Sequence, residues 1–227
     1  MVKTTMANTL GQTRRVLVVV AHPDDESFGL GAVIHAFVRR GADVDVLCLT
    51  RGEASTLGGH TDLGAVREAE LRRAGESLGV REVELANFPD GGLESVDRLE
   101  LEQRIQGAFA RTAPDLVLVF DPRDGVTGHP DHRVASEVAM KVAASHGIRV
   151  LGWALPVEVT RVLEEEFGAR LCGYPADELH HALEVVRDAQ RRAIDAHASQ
   201  AVPGSMLWRR LELLGDREYL RDLTSQV

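Results

Sequence analysis

The chain has 227 residues, of which 44% are hydrophobic and 27% charged, and its formal net charge is −9. This length suits one domain with a sizeable core, and the composition is that of an ordinary globular protein. The negative charge argues against a nucleic-acid partner, and no apolar run approaches the roughly 20 residues needed to span a bilayer. Two cysteines far apart in sequence, Cys48 and Cys172, do not make a disulfide framework. We therefore expect a cytoplasmic protein without a membrane span.

Strands and helices are predicted to alternate along most of the chain. Residues 1–15 lack an apolar core and are expected to form a disordered arm, which leaves one domain over residues 16–227. Apolar, β-branched runs predict buried strands at residues 16–20, 43–50, 82–88, 115–120 and 149–155. Apolar residues at helical spacing predict helices at residues 27–40, 65–78, 96–112 and 133–145. This alternation specifies an α/β fold, a parallel sheet with helices on both faces.

Beyond residue 157 the periodicity is weaker. It predicts helices at residues 159–167, 187–200 and 206–214, and a strand on the far edge of the sheet at residues 180–186.

The turn between the first strand and the first helix reads His22-Pro23-Asp24-Asp25-Glu26. In open α/β sheets, ligands bind at the carboxyl ends of central strands, where this turn is predicted to lie. A helix cap needs one polar side chain, so packing gives no reason to gather one imidazole and three carboxylates. A metal ion does give a reason, because a cation offsets the repulsion between carboxylates.

A second polar segment, His129-Pro130-Asp131-His132, follows the fourth predicted strand. Parallel strands present their carboxyl ends on one side, so the two segments can converge. A set of His, Asp and His ligands suits a catalytic zinc ion, which keeps a fourth position for water and makes that water a nucleophile near neutral pH. Because the segments hold more acids than an ion needs as ligands, we interpret the site as hydrolytic.

Together, the stretches 21–26 (AHPDDE) and 128–132 (GHPDH) resemble the LmbE-like, PIG-L-type N-acetylglucosaminyl deacetylases. The resemblance implies a Rossmann-like, mainly parallel sheet and a metal-dependent enzyme that removes acetyl groups from N-acetylated amino sugars. Four further segments extend it: Thr50-Arg51-Gly52-Glu53, Arg67-Glu68-Ala69-Glu70, Pro89-Asp90-Gly91-Gly92 and His197-Ala198-Ser199-Gln200.

The resemblance also implies the metal centre. Its ligands would be His22, Asp25 and His132, holding one Zn²⁺ per chain, with Fe²⁺ as another occupant of the same nitrogen and oxygen ligands. Asp24 would be the general base that deprotonates the metal-bound water.

The remaining implied roles concern the acyl group and the sugar. His129 would stabilise the oxyanion and protonate the departing amine, with Asp131 orienting its ring. The residues implied for binding the small-molecule amino-sugar substrate are Arg67, Asp90, Glu53 and His197.

Two other functions compete with deacetylation. A related subgroup of the family cleaves amides of thiol conjugates, so a zinc-dependent amidase acting on a thiol-sugar conjugate is one alternative. A non-catalytic metal-binding module is the other, and it would bind metal but turn over no N-acyl amino sugar. A homo-oligomer is compatible with deacetylation and with both alternatives.

Overall fold

One sheet dominates the computed structural model, which describes residues 11–57, 59 and 61–224. Its strands are β1 (Arg15–Val20), β2 (Asp43–Thr50), β3 (Glu82–Phe88), β4 (Leu116–Phe120), β5 (Arg149–Pro156), β6 (Gly173–Tyr174), β7 (His181–Glu184) and β8 (Arg217–Asp222). Their order in the described sheet is β3-β2-β1-β4-β5-β8-β7, and β6 pairs with the end of β5.

The first five strands run parallel, as predicted. Strand β1 lies at the centre and pairs with β2 on one side and β4 on the other, so the strand order reverses between β1 and β4. In such sheets the reversal opens a crevice at the carboxyl ends of the two strands. The segments that follow β1 and β4 contain residues 22–26 and 129–132, which we call the first and second histidine motifs. The topology therefore brings both motifs to one crevice.

The helices of the described chain cover both faces of the sheet. They are α1 (Asp25–Phe28), α2 (Gly31–Arg39), α3 (Leu63–Leu78), α4 (Arg98–Thr112), α5 (Pro130–Ser145), α6 (Val157–Phe167), α7 (Asp188–Ala196) and α8 (Met206–Leu214). Successive residues of β1 point to opposite faces. Val18 joins the apolar cluster that includes residues of α2 and α3, whereas Leu17 joins the cluster that includes residues of α4 and α5. Burial on both faces explains the unbroken apolar run of β1.

The helix predicted over residues 27–40 is interrupted at Gly29 and Leu30. A Cβ atom at Gly29 would lie 2.5 Å from the Phe120 ring, so glycine permits a close approach there. Glycine also has low helix propensity, which favours a break at this position. The interruption leaves α1 as a single turn that begins within the first histidine motif.

Two further predictions differ from the structure. The helix expected at residues 187–200 ends at Ala196, and strands β6 and β8 were not predicted. Of the expected N-terminal arm, residues 1–10 lie outside the described residues, and Arg15 already begins β1. Both cysteines are buried and free, and none of the described helices is long and apolar enough to cross a membrane.

A buried polar network connects β8 to Ser27 of helix α1. Glu218 of β8 accepts hydrogen bonds from Trp153 Nε1 at 2.8 Å and from Arg187 Nη1 at 2.6 Å. Arg187 also donates to Gln190 Oε1 at 2.6 Å, and Gln190 Nε2 donates to the carbonyl oxygen of Ser27 at 3.0 Å. The C-terminal part of the described chain thus holds helix α1 through a hydrogen bond to its backbone.

We expect Arg187→Met to lower the free energy of unfolding by about 3–5 kcal/mol, because it leaves the buried Glu218 carboxylate without its closest cation. Urea denaturation followed by circular dichroism measures this. Arg209→Met is the matched control, since Arg209 pairs with Glu166 at the protein surface. Equal losses in the two variants would contradict the structural role given to the buried network.

Candidate active site

A cavity of about 420 Å³ opens at the carboxyl edge of the sheet. Polar side chains from the two histidine motifs, from the turn after β3, from the loop after β2 and from helix α3 line it. They are His22, Asp24, Asp25, Ser55, Thr56, Arg67, Asp90, His129 and His132, together with Ala54, Leu57 and Gly91.

Three side chains meet on one side of this cavity. His22 Nδ1 lies 3.1 Å from His132 Nε2, which in turn lies 3.1 Å from Asp25 Oδ1. Asp25 Oδ2 lies 3.7 Å from His22 Nδ1. All three residues are buried. Atoms that each lie about 2.0–2.2 Å from one small cation have mutual separations of this size. Two imidazole nitrogens and a carboxylate therefore fit a divalent transition metal in both geometry and chemistry.

Each member of this trio is held by neighbouring groups. Asp25 Oδ2 accepts the backbone N–H groups of Ala21 at 3.2 Å and His22 at 2.9 Å, which leaves Oδ1 facing His132. His132 Nδ1 lies 2.8 Å from the Thr127 hydroxyl and 3.2 Å from the carbonyl oxygen of Gly125. A carbonyl can only accept, so these contacts favour a proton on Nδ1 and leave Nε2 free to bind an ion.

The other ring nitrogen of His22 faces two carboxylates. His22 Nε2 lies 3.1 Å from Asp90 Oδ1 and 3.4 Å from Asp131 Oδ2, but it forms a well-directed hydrogen bond with neither. These three side chains also satisfy the spacing of a metal-binding group, as do His22, His129 and His132. His22 is therefore the residue shared by every metal-ligand set found in the described residues.

The charges around His22 favour a cation. Burial lowers the pKa of His22, but the contacts with Asp131 and Asp90 outweigh it and raise that pKa to about 10. Burial raises the pKa of Asp25, but the charge of His132 outweighs it and holds that pKa below its usual range. The pKa values of Asp90 and Asp131 are also lowered, against burial, by their contacts with His22. The site thus stabilises ionised carboxylates around a positive centre.

Asp24 lies at the start of α1 in a conformation that non-glycine residues rarely adopt, with φ 135° and ψ −25°. Such backbone conformations carry a strain of about 1–3 kcal/mol and persist only where the surroundings hold them. Asp24 Oδ2 accepts a hydrogen bond from Arg67 Nη2 at 2.8 Å. Burial raises the pKa of Asp24 to about 6, and the Arg67 cation opposes this rise. A carboxyl with such a pKa can exchange a proton near neutral pH.

His129 lines the cavity with its ring centroid 4.6 Å from that of His22. Its Nδ1 accepts the backbone N–H of Asp131 at 3.2 Å, so in the neutral ring the proton resides on Nε2. Burial lowers the pKa of His129, and the neighbouring His22 and His132 lower it further. His129 is therefore suited to donate a hydrogen bond as a neutral imidazole.

The Asp131 carboxylate has a different position from the expected one. Its oxygens accept the backbone N–H groups of Gly91 at 2.8 Å and Leu93 at 3.1 Å, and they face His22. Only its backbone N–H contacts the His129 ring. The Asp131 carboxylate therefore contacts the turn after β3, and its expected role in orienting His129 stays a prediction.

The four residues expected to bind substrate fall into three classes. Asp90 lines the cavity, and Arg67 lines it with a guanidinium that is hydrogen-bonded to Asp24 and to two backbone carbonyls. Glu53 lies outside the cavity lining and accepts the backbone N–H of Asp90 at 3.0 Å. His197 is fully buried and does not line the cavity, and its expected contact with substrate stays a prediction.

The sequence interpretation named no residue from two parts of the site. Residues 54–57 of the loop after β2 line the cavity, and the Thr127 hydroxyl contacts Nδ1 of His132. A polar composition was the only sequence signal for either. It marks a loop, but it does not show which way the loop folds.

Comparison with known proteins places these features in a family. The family model PIG-L, described as GlcNAc-PI de-N-acetylase, matches residues 17–143. A 1D-myo-inositol 2-acetamido-2-deoxy-alpha-D-glucopyranoside deacetylase of Kineococcus radiotolerans is 34% identical over 190 residues, covering 68% of this chain and 52% of that protein. A probable N-acetyl-alpha-D-glucosaminyl L-malate deacetylase 2 of Bacillus anthracis is 35% identical over 138 residues, covering 58% of this chain and 60% of that protein. The chain thus matches only a little over half the length of these two relatives.

Likeness to a solved structure supports the fold alone. The 4-carboxy-2-hydroxymuconate hydratase GalB of Pseudomonas putida superposes with a TM-score of 0.67 at 20% identity, covering 94% of this chain and 98% of that one. The family assignment rests instead on the matched segment, which covers more than half of the chain and includes both histidine motifs. The chain belongs to the PIG-L, or LmbE-like, family.

Proposed function

We propose that this protein is a metal-dependent hydrolase that removes the acetyl group from an N-acetylated amino sugar or its conjugate. The observation that carries the proposal is the convergence of His22 Nδ1, Asp25 Oδ1 and His132 Nε2 beside the Asp24 carboxylate. Family membership and the names of the two relatives support an N-acetylated amino sugar as the substrate class.

The residues that would hold the metal are His22, Asp25 and His132. We choose Nδ1 of His22 over Nε2 because Asp90 and Asp131 face Nε2, and such carboxylates commonly orient a ligating imidazole from its far side. The mixed nitrogen and oxygen donors suit Zn²⁺, and Fe²⁺ is the alternative ion. When bound, the cation would make water acidic enough to attack near neutral pH and would polarise the amide carbonyl.

Asp24 would serve as the proton carrier. As the attacking water forms its bond to the acyl carbon, Asp24 takes the water proton, and Arg67 favours its ionised form beforehand. Asp24 then gives this proton to the amide nitrogen as the C–N bond breaks, which releases the free amine and acetic acid, and the acid ionises to acetate in water. A carboxyl whose pKa lies near the working pH can perform both transfers.

His129 would stabilise the developing oxyanion. Its lowered pKa keeps the ring neutral, with Nε2–H available as a hydrogen-bond donor. Donating that proton completely would leave an imidazolate. We therefore assign protonation of the amine to Asp24, whereas the family resemblance had implied His129 for this role.

We expect purified protein to contain one divalent ion per chain, and His22→Ala and His132→Ala to lose it. Elemental analysis by mass spectrometry measures the metal content. His146→Ala is the control, since His146 is an exposed histidine that stacks on Phe109, away from the cavity. Full metal content in both ligand variants would contradict the proposed centre.

We expect the zinc-loaded protein to release free amine from at least one member of a panel of N-acetylglucosaminyl compounds. Asp24→Asn should keep the metal and lose turnover by on the order of 10²–10⁴-fold, because the side chain can no longer carry a proton. His129→Ala should keep the metal and lose on the order of 10²–10³-fold, the usual effect of removing an oxyanion donor.

The panel also includes amides of thiol-sugar conjugates. Exclusive turnover of those compounds would favour the amidase alternative. Metal binding without any turnover would favour a non-catalytic module.

We expect the acidic limb of the kcat/KM pH profile to move to higher pH in Arg67→Met. Activity requires ionised Asp24 and therefore falls as pH drops through the pKa of this carboxyl. The Arg67 cation lowers that pKa, so its removal raises the pKa and the limb follows. Arg67→Lys keeps the charge and should shift the limb less. An unmoved limb in Arg67→Met would show that this cation does not act on the catalytic base.

A further inference from the structure

We infer that Glu26 and His197 form a buried positioning pair that holds Asp24 in its strained conformation. The inference rests on the proposed function, because it concerns the rate at which Asp24 carries the proton. It gives His197, which is buried and does not line the cavity, a role through its contact with Glu26.

Hydrogen bonds connect the three residues in series. Glu26 Oε2 accepts the backbone N–H of Asp24 at 3.0 Å, and Glu26 Oε1 lies 2.7 Å from His197 Nε2. The hydroxyl of Ser27 also donates to Oε1. Both side chains of the pair are fully buried. A fixed Glu26 carboxylate therefore fixes the direction of the Asp24 backbone N–H.

The ring of His197 is directed towards Glu26 alone. Its Nδ1 is buried and has no hydrogen-bond partner among the residues that the structure describes. Phe28 packs against the ring in an edge-on arrangement with centroids 5.8 Å apart. A buried charged pair is weak evidence for stability, since well-packed apolar side chains often do as well or better. We attribute the presence of an acid and an imidazole at this position to the hydrogen bond between Glu26 and the backbone N–H of Asp24.

The segment that carries His197 is anchored on the elements that surround the cavity. Ser199 donates from its backbone N–H and its hydroxyl to the Glu70 carboxylate of α3, at 2.9 and 2.7 Å. Gln200 Oε1 accepts a hydrogen bond from the Ser55 hydroxyl at 2.8 Å, and Ser55 lines the cavity. These anchors hold the imidazole at a fixed distance from α1.

The proposed metal ligand next to Asp24 does not depend on the pair. Asp25 is held by the backbone N–H groups of Ala21 and His22, which precede α1. Loss of the Glu26–His197 contact should therefore displace Asp24 and leave the metal in place. This separation makes the inference testable.

The experiment measures kcat, KM and metal content for His197→Ala in the zinc-loaded protein. We expect kcat to fall by about 10–100-fold, the usual effect of removing an outer partner, with KM and metal content unchanged. His197→Gln should recover most of the rate, because its amide N–H can still reach Glu26. His181→Ala, which truncates another buried histidine at the far edge of the sheet, should keep the wild-type kcat.

A double-mutant cycle with Asp24→Asn tests the path of action. If His197 acts through Asp24, His197→Ala lowers the residual rate of Asp24→Asn no further. Losses that multiply, loss of metal in His197→Ala, or a wild-type kcat in that variant would each overturn the inference. If His197→Ala fails to fold, His197→Asn replaces it, because its shorter amide cannot span to Glu26.

Failure of the proposed function is a separate outcome. It would appear as a wild-type protein that binds metal but turns over no compound in the panel. Crystal structures of the wild-type and His197→Ala proteins then decide the positioning role. The inference requires Asp24 to leave its positive φ in the variant, and an unchanged Asp24 backbone would overturn it.

Discussion

Repulsion between carboxylates is the constraint on which the rest of this structure depends. Four of them lie at one edge of the sheet: Asp24, Asp25, Asp90 and Asp131. Each has an assigned partner, either a cationic side chain or a backbone N–H group. The chain supplies these partners from the segments after β1, β2 and β3 and from helix α3. A site arranged in this way stabilises positive charge at its centre, where His22 and His132 meet Asp25.

Much of the fold could be predicted because its signals are local. Strands buried on both faces, such as β1, need unbroken apolar runs, and the helices between them show apolar residues at helical spacing. Strand β8 escaped prediction because its sequence, Arg-Glu-Tyr-Leu-Arg-Asp, carries four charges in six residues. Its charged residues are accommodated by Arg187 and other partners distant in sequence. The sequence of β8 itself gives no indication of those partners.

The same distinction applies to the site. The positions of His22, Asp25 and His132 followed from the order of parallel strands, which determines where successive turns meet. The directions in which individual side chains point could not be predicted from the strand order. His197 faces Glu26, a residue 171 positions earlier, because α7 ends one residue before it and packs behind α1. A resemblance between short motifs identifies residues that stay together, but it leaves open whether a side chain faces the substrate or the protein interior.

The antiparallel end of the sheet has a consequence for how the protein assembles. Among the described strands β7 pairs only with β8, and β8 also covers the free edge of β5, although β8 is the later strand in the chain. During synthesis β7 leaves the ribosome before the strand that will hold it. In that interval the edge of β5 is open to pairing with another nascent chain. Strand β7 can therefore join this sheet no earlier than β8, so pairing at this end of the sheet waits for the later strand.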